Sequence, residues 1–167
     1  MSKVLVVYGT STGCTAGVAE RIGKALADKG ASVEVVSAKE APAADGYDAV
    51  LVGSGVRASN WHQPVKEWVA ANTAALKAGK VAFYTVGLTL ASAPEKTAEV
   101  RAYTGPLIAE TGIEPVDVGV FAGCNEPKKF SFMERTIMKL IKAPEGDFRD
   151  WDAIDAWALE VAGPLGV

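Results

Sequence analysis

Short, continuous apolar runs recur along the chain, and several are rich in β-branched residues. Such runs are typical of strands that are buried on both faces of a sheet, where no polar alternation is needed. The pattern therefore predicts a set of central strands: residues 3–8, 33–36, 49–53, 81–86 and 116–121.

The intervals between the runs have apolar residues at helical spacing. They predict helices over residues 15–29, from Pro64 onward, over 95–111, and over 151–162 with Asp150 as N-cap. Strands that alternate with helical crossovers form a parallel sheet with helices on both faces, so the fold class is α/β. The expected inward faces are Val18, Ile22, Ala25 and Leu26; Val65, Trp68, Val69 and Leu76; Val100, Tyr103 and Leu107; and Ile154, Trp157, Ala158 and Val161.

Length and composition limit the possible functions. A chain of 167 residues predicts a single domain over 1–167, and a formal charge of -3 does not favour nucleic-acid binding. Cys14 and Cys124 lie far apart and fit no metal-site or CxxC spacing, so no metal site is predicted. The first apolar run is too short for a signal segment or a membrane span, and we therefore expect a cytoplasmic location.

The loop after the first strand has the composition of an anion site. Residues 9–15 read Gly-Thr-Ser-Thr-Gly-Cys-Thr and lead directly into the first predicted helix. Glycines and small hydroxyl residues let a backbone curl around an anion, and the helix N-terminus adds unpaired N–H groups. The loop contains no lysine or arginine, which favours one phosphate over a magnesium-bound triphosphate. The alternative is a turn that only caps the helix.

The run from Val6 to Thr15, followed by Ala19 and Ile22, resembles the FMN-phosphate signature of the flavodoxins. The resemblance implies a doubly wound, five-stranded parallel sheet of order 2-1-3-4-5, with FMN as cofactor. It also implies the residues that hold the FMN phosphate: Thr10, Ser11, Thr12, Gly13, Cys14 and Thr15.

The loop after the third strand, residues 54–62, is expected beside the flavin ring, because ligands bind beyond the carboxyl ends of parallel strands. We expect backbone contacts from Ser54, Gly55, Val56 and Arg57, and the Arg57 charge can oppose the negative charge of reduced flavin.

Two aromatic side chains of this loop have open roles. Trp61 either stacks on the ring or anchors the core beside Trp68. His62, the only histidine, either donates a proton or caps the helix that begins at Gln63-Pro64. Arg57 and His62 are the candidate catalytic residues.

The loop after the fourth strand is expected on the other side of the ring. Its backbone at Val86, Gly87 and Leu88 can bind the ring edge, but it lacks the stacking tyrosine that many flavodoxins carry there. We expect one face of the flavin to be left open for a planar substrate.

Residues 123–150 interrupt the alternation and form an insertion of helical character after the fifth strand. Within it, residues 128–142 hold five basic residues and one acidic residue, a net charge of +4, interleaved with apolar ones. This predicts a basic amphipathic helix that suits an anionic membrane surface or a large apolar ligand. The alternative is an ordinary surface helix packed on the domain.

The whole chain also resembles one flavodoxin branch, the quinone-linked protoporphyrinogen dehydrogenases. The matching pieces are 53–57, 82–86 with Leu88, 94–96, 122–123, 132–141 and Trp151. The resemblance implies an FMN enzyme of haem biosynthesis that oxidises protoporphyrinogen IX and passes electrons to a membrane quinone. The basic amphipathic pattern of residues 128–142 separately predicts peripheral contact with the inner face of the cell membrane. Residues 89–93, however, offer no basic side chain to the carboxylates of such a substrate.

The alternative function is a flavodoxin-type carrier that moves electrons between redox proteins. Carriers usually dock through a strongly acidic face around the flavin, whereas the insertion here is basic. A phosphoryl-accepting domain of the same sheet order needs an aspartate after the third strand, where this chain has Gly53-Ser54. The sequence therefore favours the enzyme.

Overall fold

The computed structural model describes all residues, 1–167. Its central sheet has five parallel strands in the order β2-β1-β3-β5-β6, which is the 2-1-3-4-5 order that the resemblance implies. A two-residue strand, β4, pairs antiparallel with the end of β3. The strands are β1 (Lys3–Gly9), β2 (Ser32–Ser37), β3 (Ala49–Arg57), β4 (Asn60–Trp61), β5 (Lys80–Gly87), β6 (Val118–Ala122), β7 (Cys124–Asn125) and β8 (Gly146–Asp147).

Helices cover both faces of the sheet. The first and last of them pack together on one face, and the middle helices lie on the other. They are α1 (Cys14–Asp28), α2 (Gln63–Ala71), α3 (Thr73–Ala78), α4 (Thr89–Ser92), α5 (Thr97–Arg101), α6 (Gly105–Thr111), α7 (Phe132–Leu140) and α8 (Trp151–Leu165).

Each central strand supplies two hydrophobic cores, because successive side chains point to opposite faces. In β1, Val4 and Val6 pack into the core under α1 and α8. Leu5 and Val7 pack into the core under α2 and α3. All four are fully buried, which confirms the prediction of a strand covered on both faces.

Gly53 allows β3 to pass the ring of Tyr84 on the neighbouring strand β5. A Cβ atom at residue 53 would overlap the Tyr84 ring, which is fully buried and cannot swing into solvent. The Tyr84 hydroxyl donates to the carbonyl of Val7 at 3.4 Å. Burial in this apolar surrounding raises the pKa of Tyr84.

Two predicted helices are interrupted. The helix from Pro64 breaks at Asn72, whose side chain donates to the Trp68 carbonyl and accepts from the Ala44 backbone at 3.2 Å. An asparagine that bonds nearby backbone competes with helical hydrogen bonding. The prediction of one helix over 95–111 is also wrong, because 3₁₀ turns interrupt it and a separate helix, α6, begins at Gly105. Pro106, which has no backbone N–H to donate, stands in the first turn of α6.

The helix faces were predicted correctly apart from two partly exposed residues, Ala25 and Tyr103. Asp150 caps α8 as predicted, since its side chain accepts from the Ala153 backbone N–H at 3.0 Å.

The insertion forms a small substructure of its own. Strands β7 and β8 pair antiparallel at its base, and α7 lies between them in the chain. Ser131 and Glu134 form a capping box at the start of α7. The predicted basic amphipathic helix is therefore present, and none of its residues is buried.

Candidate functional site

The loop between β1 and α1 forms an open anion cradle. Gly13 stands at the N-cap position of α1 with φ of 96°, a left-handed conformation that disfavours any side chain. No side chain caps this helix, so the first N–H groups of α1 remain available. The Thr10 hydroxyl accepts from the Gly13 N–H at 2.9 Å and keeps the loop curled. A helix end of this kind is suited to a phosphate.

Two cations that are distant in sequence lie beside this cradle. Lys129 Nζ is 3.6 Å from the point where a Cβ on Gly13 would stand, and it pairs with Glu126 at 3.1 Å. Arg149 Nη1 donates to the carbonyl of Cys14 at 3.1 Å. The absence of basic residues within the loop itself is thus compensated by the insertion.

Cys14 and Cys124 form a disulfide with a Cα–Cα distance of 5.8 Å. Their pairing could not be predicted from the sequence, because 110 positions separate them and no spacing motif contains both. The sheet brings them together, since the loop after β1 and the start of the insertion leave the same edge. The disulfide joins the phosphate loop covalently to the insertion.

The end of β3 and the short strand β4 form a hairpin against the cradle. The Ser54 hydroxyl is buried, donates to the Gly55 carbonyl at 2.7 Å and accepts from the His62 N–H at 2.8 Å. Gly55 faces Thr15, whose Oγ1 would lie 3.1 Å from a Cβ at residue 55. These contacts fix the hairpin next to the phosphate loop.

Trp61 is only 4% exposed. Its indole N–H donates to the Thr85 hydroxyl at 2.9 Å, and its ring meets Phe83 edge to face at 5.5 Å. Most of the ring is therefore covered by protein, as a core anchor requires.

His62 carries an unpartnered polar atom at the site. Its carbonyl starts α2, but its side chain makes no cap, and its buried Nε2 has no hydrogen-bond partner. Burial lowers the pKa of His62, and the charges of Lys39 and Arg57 lower it further. At neutral pH the ring is uncharged, which leaves a nitrogen able to accept a proton.

Arg57 connects the hairpin with the insertion. Its guanidinium lies 3.6 Å from a carboxylate oxygen of Glu134 on α7 and 6.0 Å from the centre of the Phe130 ring. The Arg57 side chain is 57% exposed, so this ion pair is a weak contact that can open.

The phosphate loop, the hairpin and the insertion all contribute to the lining of one cavity of about 840 Å³. This volume is within the roughly 300–1,000 Å³ of typical ligand sites. Every predicted site residue except Gly13 and Ser54 lines it, including Val86, Gly87 and Leu88. Sequence reasoning missed part of the lining: Val100, Tyr103, Phe130, Glu134, Ile137, Met138, Ile141 and Lys142.

The residues that were not predicted include an apolar part of the cavity lining. Ile137, Met138 and Ile141 recur at helical spacing, and they line the same cavity as the phosphate loop. The amphipathic pattern of residues 128–142 carried this signal, but it does not specify which surface the apolar face covers.

A family model for the flavodoxin domain matches residues 5–152, so the chain belongs to the flavodoxin-domain family. FMN is the cofactor, and the cradle, hydroxyl groups and cavity fit it.

Among curated proteins, the chain is 24% identical over 171 residues to protoporphyrinogen IX dehydrogenase [quinone] of Escherichia coli (strain K12). That match covers 96% of this chain and 94% of the relative. The protein of the same name from Leishmania major is 28% identical over 179 residues, covering 99% and 77% of the two chains. Together with the family, these relatives support an oxidoreductase with an FMN redox role.

A flavodoxin from the domain Archaea is similar in structure, with a TM-score of 0.58 and 17% identity, covering 99% of both chains. At this identity the likeness shows the fold alone.

Proposed function

We propose that this protein is an FMN-dependent dehydrogenase that oxidises protoporphyrinogen IX, or a related cyclic tetrapyrrole, with a quinone as electron acceptor. One observation carries the proposal: the phosphate cradle and the apolar residues of the insertion line the same cavity. A carrier needs only the flavin and a docking face, whereas an apolar wall in the same cavity suits a large apolar substrate.

In this proposal the first loop binds the FMN phosphate through its N–H groups and hydroxyls, and the loops after β3 and β5 hold the ring by backbone contacts. When bound, FMN supplies the redox chemistry by accepting electrons from the substrate and passing them to the quinone. The residues concerned are Thr10, Ser11, Thr12, Gly13, Cys14 and Thr15 for the phosphate, and Ser54, Gly55, Val56, Arg57, Val86, Gly87 and Leu88 for the ring.

Two cations can meet the carboxylates of such a substrate. Arg57 and Lys142 both line the cavity, whereas residues 89–93 contain no basic side chain. The contact between Arg57 and Glu134 gives the cavity an edge that can open as substrate enters. His62 Nε2, which is neutral and unpartnered, is the proposed proton acceptor.

The outer face of α7 is proposed to contact a membrane peripherally. Phe132, Met133 and Leu140 are largely exposed there among basic residues. Such a face suits an anionic lipid surface. No helix of the chain has both the length and the apolar character needed to cross a bilayer. A Phe132→Ser/Leu140→Ser variant should lose sedimentation with anionic vesicles yet keep FMN.

The activity is tested by mixing the FMN-loaded protein anaerobically with protoporphyrinogen IX and a soluble menaquinone analogue. Porphyrin fluorescence that rises over several turnovers, and only with quinone, is the expected result. Arg57→Gln should raise KM more than it lowers kcat, because it removes a substrate contact. His62→Gln should lower kcat more than it changes KM.

The carrier function predicts the opposite outcome. A protein that forms no porphyrin but cycles its flavin between a flavodoxin reductase and a redox-protein acceptor would refute the dehydrogenase and establish the carrier.

A further inference from the structure

We propose that Cys14 and Cys124 form a redox-controlled staple. In the disulfide form the insertion, and with it Lys129, is held at the phosphate loop and FMN binds more tightly; in the dithiol form this hold is released. The inference rests on FMN binding, which the family defines, and is independent of the substrate proposed above.

The disulfide connects the phosphate loop with the insertion. Cys14 is the first residue of α1, directly after the Gly13 N-cap of the phosphate cradle. Cys124 is in β7, the first element of the insertion. Their bond therefore joins the part of the chain that binds phosphate to the part that is added to the fold.

Lys129 is the cation that the disulfide keeps near the phosphate loop. It lies five positions beyond Cys124, and its Nζ reaches the face of Gly13 that is turned towards the insertion. The Lys129 side chain is half exposed, and its ammonium group pairs with the Glu126 carboxylate, so a bound phosphate would compete with one carboxylate for this cation. An ammonium beside unpaired helix N–H groups strengthens phosphate binding.

The insertion packs weakly against the rest of the domain. No residue of α7 is buried, and the Arg57–Glu134 contact is long and exposed. The hydrogen bond from Phe148 N to the Gly123 carbonyl, 3.1 Å, holds the base of the insertion in either redox state. Without the disulfide, the base of the insertion is still held by the pairing of β7 with β8 and by the hydrogen bond from Arg149 Nη1 to the Cys14 carbonyl. The turn that carries Lys129 lies beyond this base and loses its direct covalent link to the cradle.

The chemistry is thiol–disulfide exchange with a low-molecular-mass disulfide. One cysteine thiolate attacks that disulfide and releases one small thiol, forming a mixed disulfide. The other cysteine thiolate then attacks the mixed disulfide at the protein sulfur and releases the second small thiol. The protein loses two S–H protons and gains one S–S bond, while the small disulfide is reduced to two thiols. Both cysteines line the cavity, which gives the reagent a path to them.

The test measures FMN affinity by fluorescence quenching, in the dark, for protein equilibrated with oxidised glutathione and for protein reduced with dithiothreitol. Maleimide labelling and mass spectrometry count the free thiols in each sample. We expect no labelled thiol after oxidation and two after reduction. We expect FMN to bind roughly fivefold more tightly to the oxidised form, the size of a partly exposed ion pair.

Lys129→Gln should abolish most of that difference, and Lys128→Gln, which makes the same charge change on the adjacent residue, should keep it. Cys124→Ser should bind FMN as the reduced wild type does under both conditions. If that variant does not fold, the reduced wild type gives the same comparison.

Linkage supplies a readout that does not involve flavin affinity directly. Saturating FMN should shift the thiol–disulfide equilibrium in a glutathione buffer towards the disulfide by the same factor. Thiols that stay free in oxidised glutathione, equal FMN affinity in both redox states, or a difference that survives Lys129→Gln would each overturn the proposal. A failure to oxidise porphyrinogen would leave all these measurements unaffected.

Discussion

Replacing Trp61 by phenylalanine distinguishes a core anchor from a stacking group for the flavin. The indole N–H donates to the Thr85 hydroxyl at 2.9 Å, and both side chains are buried. Trp61→Phe deletes the donor and leaves the Thr85 hydroxyl without its partner, while an aromatic ring remains to meet Phe83. We therefore expect loss of stability without a comparable loss of flavin binding.

The magnitude follows from two contributions. An unpaired buried hydroxyl costs about 1–3 kcal/mol. The volume lost between the two rings adds about 1 kcal/mol, a fraction of the cost of removing a whole aromatic side chain. The free energy of unfolding should thus fall by about 2–4 kcal/mol. At about 2–4 °C per kcal/mol for a chain of this size, Tm should fall by roughly 5–15 °C.

The assay is urea denaturation of the apoprotein and of the FMN-loaded protein, with Thr85→Val and the double variant completing a cycle. Thr85→Val leaves the indole N–H unpaired and should cost about 1–3 kcal/mol. The double variant removes both partners, so its loss should be smaller than the sum of the single losses by about 1 kcal/mol.

Other changes in stability and FMN affinity would show that Trp61 is not a core anchor. If Trp61→Phe leaves apoprotein stability unchanged but weakens FMN binding tenfold or more, the ring acts on the flavin. If the two single losses add fully, the hydrogen bond contributes nothing.

Three further predictions concern stability. Burial lowers the pKa of His62, so the unfolded chain binds a proton at this residue more readily than the folded chain does. The contribution of neutral His62 to the free energy of unfolding is fully present above the ordinary histidine pKa of about 6.5. It is lost as the pH falls from that value through the lower pKa of the folded state. His62→Gln should flatten this part of a plot of urea midpoint against pH, and an unchanged slope would contradict the assignment. Reducing the disulfide should lower the free energy of unfolding by roughly 4–5 kcal/mol, because the bond spans 110 positions. Urea denaturation curves with and without dithiothreitol measure this loss. The unfolding of Cys124→Ser should not respond to the reductant. Asp150→Ala should cost about 1 kcal/mol in thermal unfolding through loss of the α8 cap, whereas Asp152→Ala in the same turn should cost less; equal losses would mean that charge alone matters.

The fold was largely predictable because the relevant signals are local. The apolar run that became β1 and the helical stripe that became α1 each depend on a repeat of a few residues. The breaks were harder to predict. Asn72 stands at the end of α2, and its side chain accepts from the Ala44 backbone N–H, a contact between distant parts of the chain that local sequence does not reveal.

The candidate site divides in the same way. The loop that we propose to bind the phosphate lies within seven adjacent residues, 9–15, so its curled shape before α1 could be predicted from local sequence. The disulfide and the position of Lys129 arise only when the sheet brings the start of the insertion beside that loop. For Trp61 and His62, the residue type alone left two roles open. The structure adds the hydrogen bond from the Trp61 indole to Thr85 and the buried, unpartnered Nε2 of His62, and neither can be deduced from the sequence.

The close passage of β3 over the Tyr84 ring has a consequence for the history of the chain. Because the ring occupies the space that any side chain at position 53 would need, a larger residue at 53 is expected only where residue 84 is smaller than tyrosine. A lineage that acquires a larger residue at 53 must first, or at once, acquire a smaller one at 84. An alignment of full-length relatives should therefore show glycine at 53 wherever residue 84 is aromatic. Residues other than glycine should occur at 53 only in relatives with a smaller residue at 84.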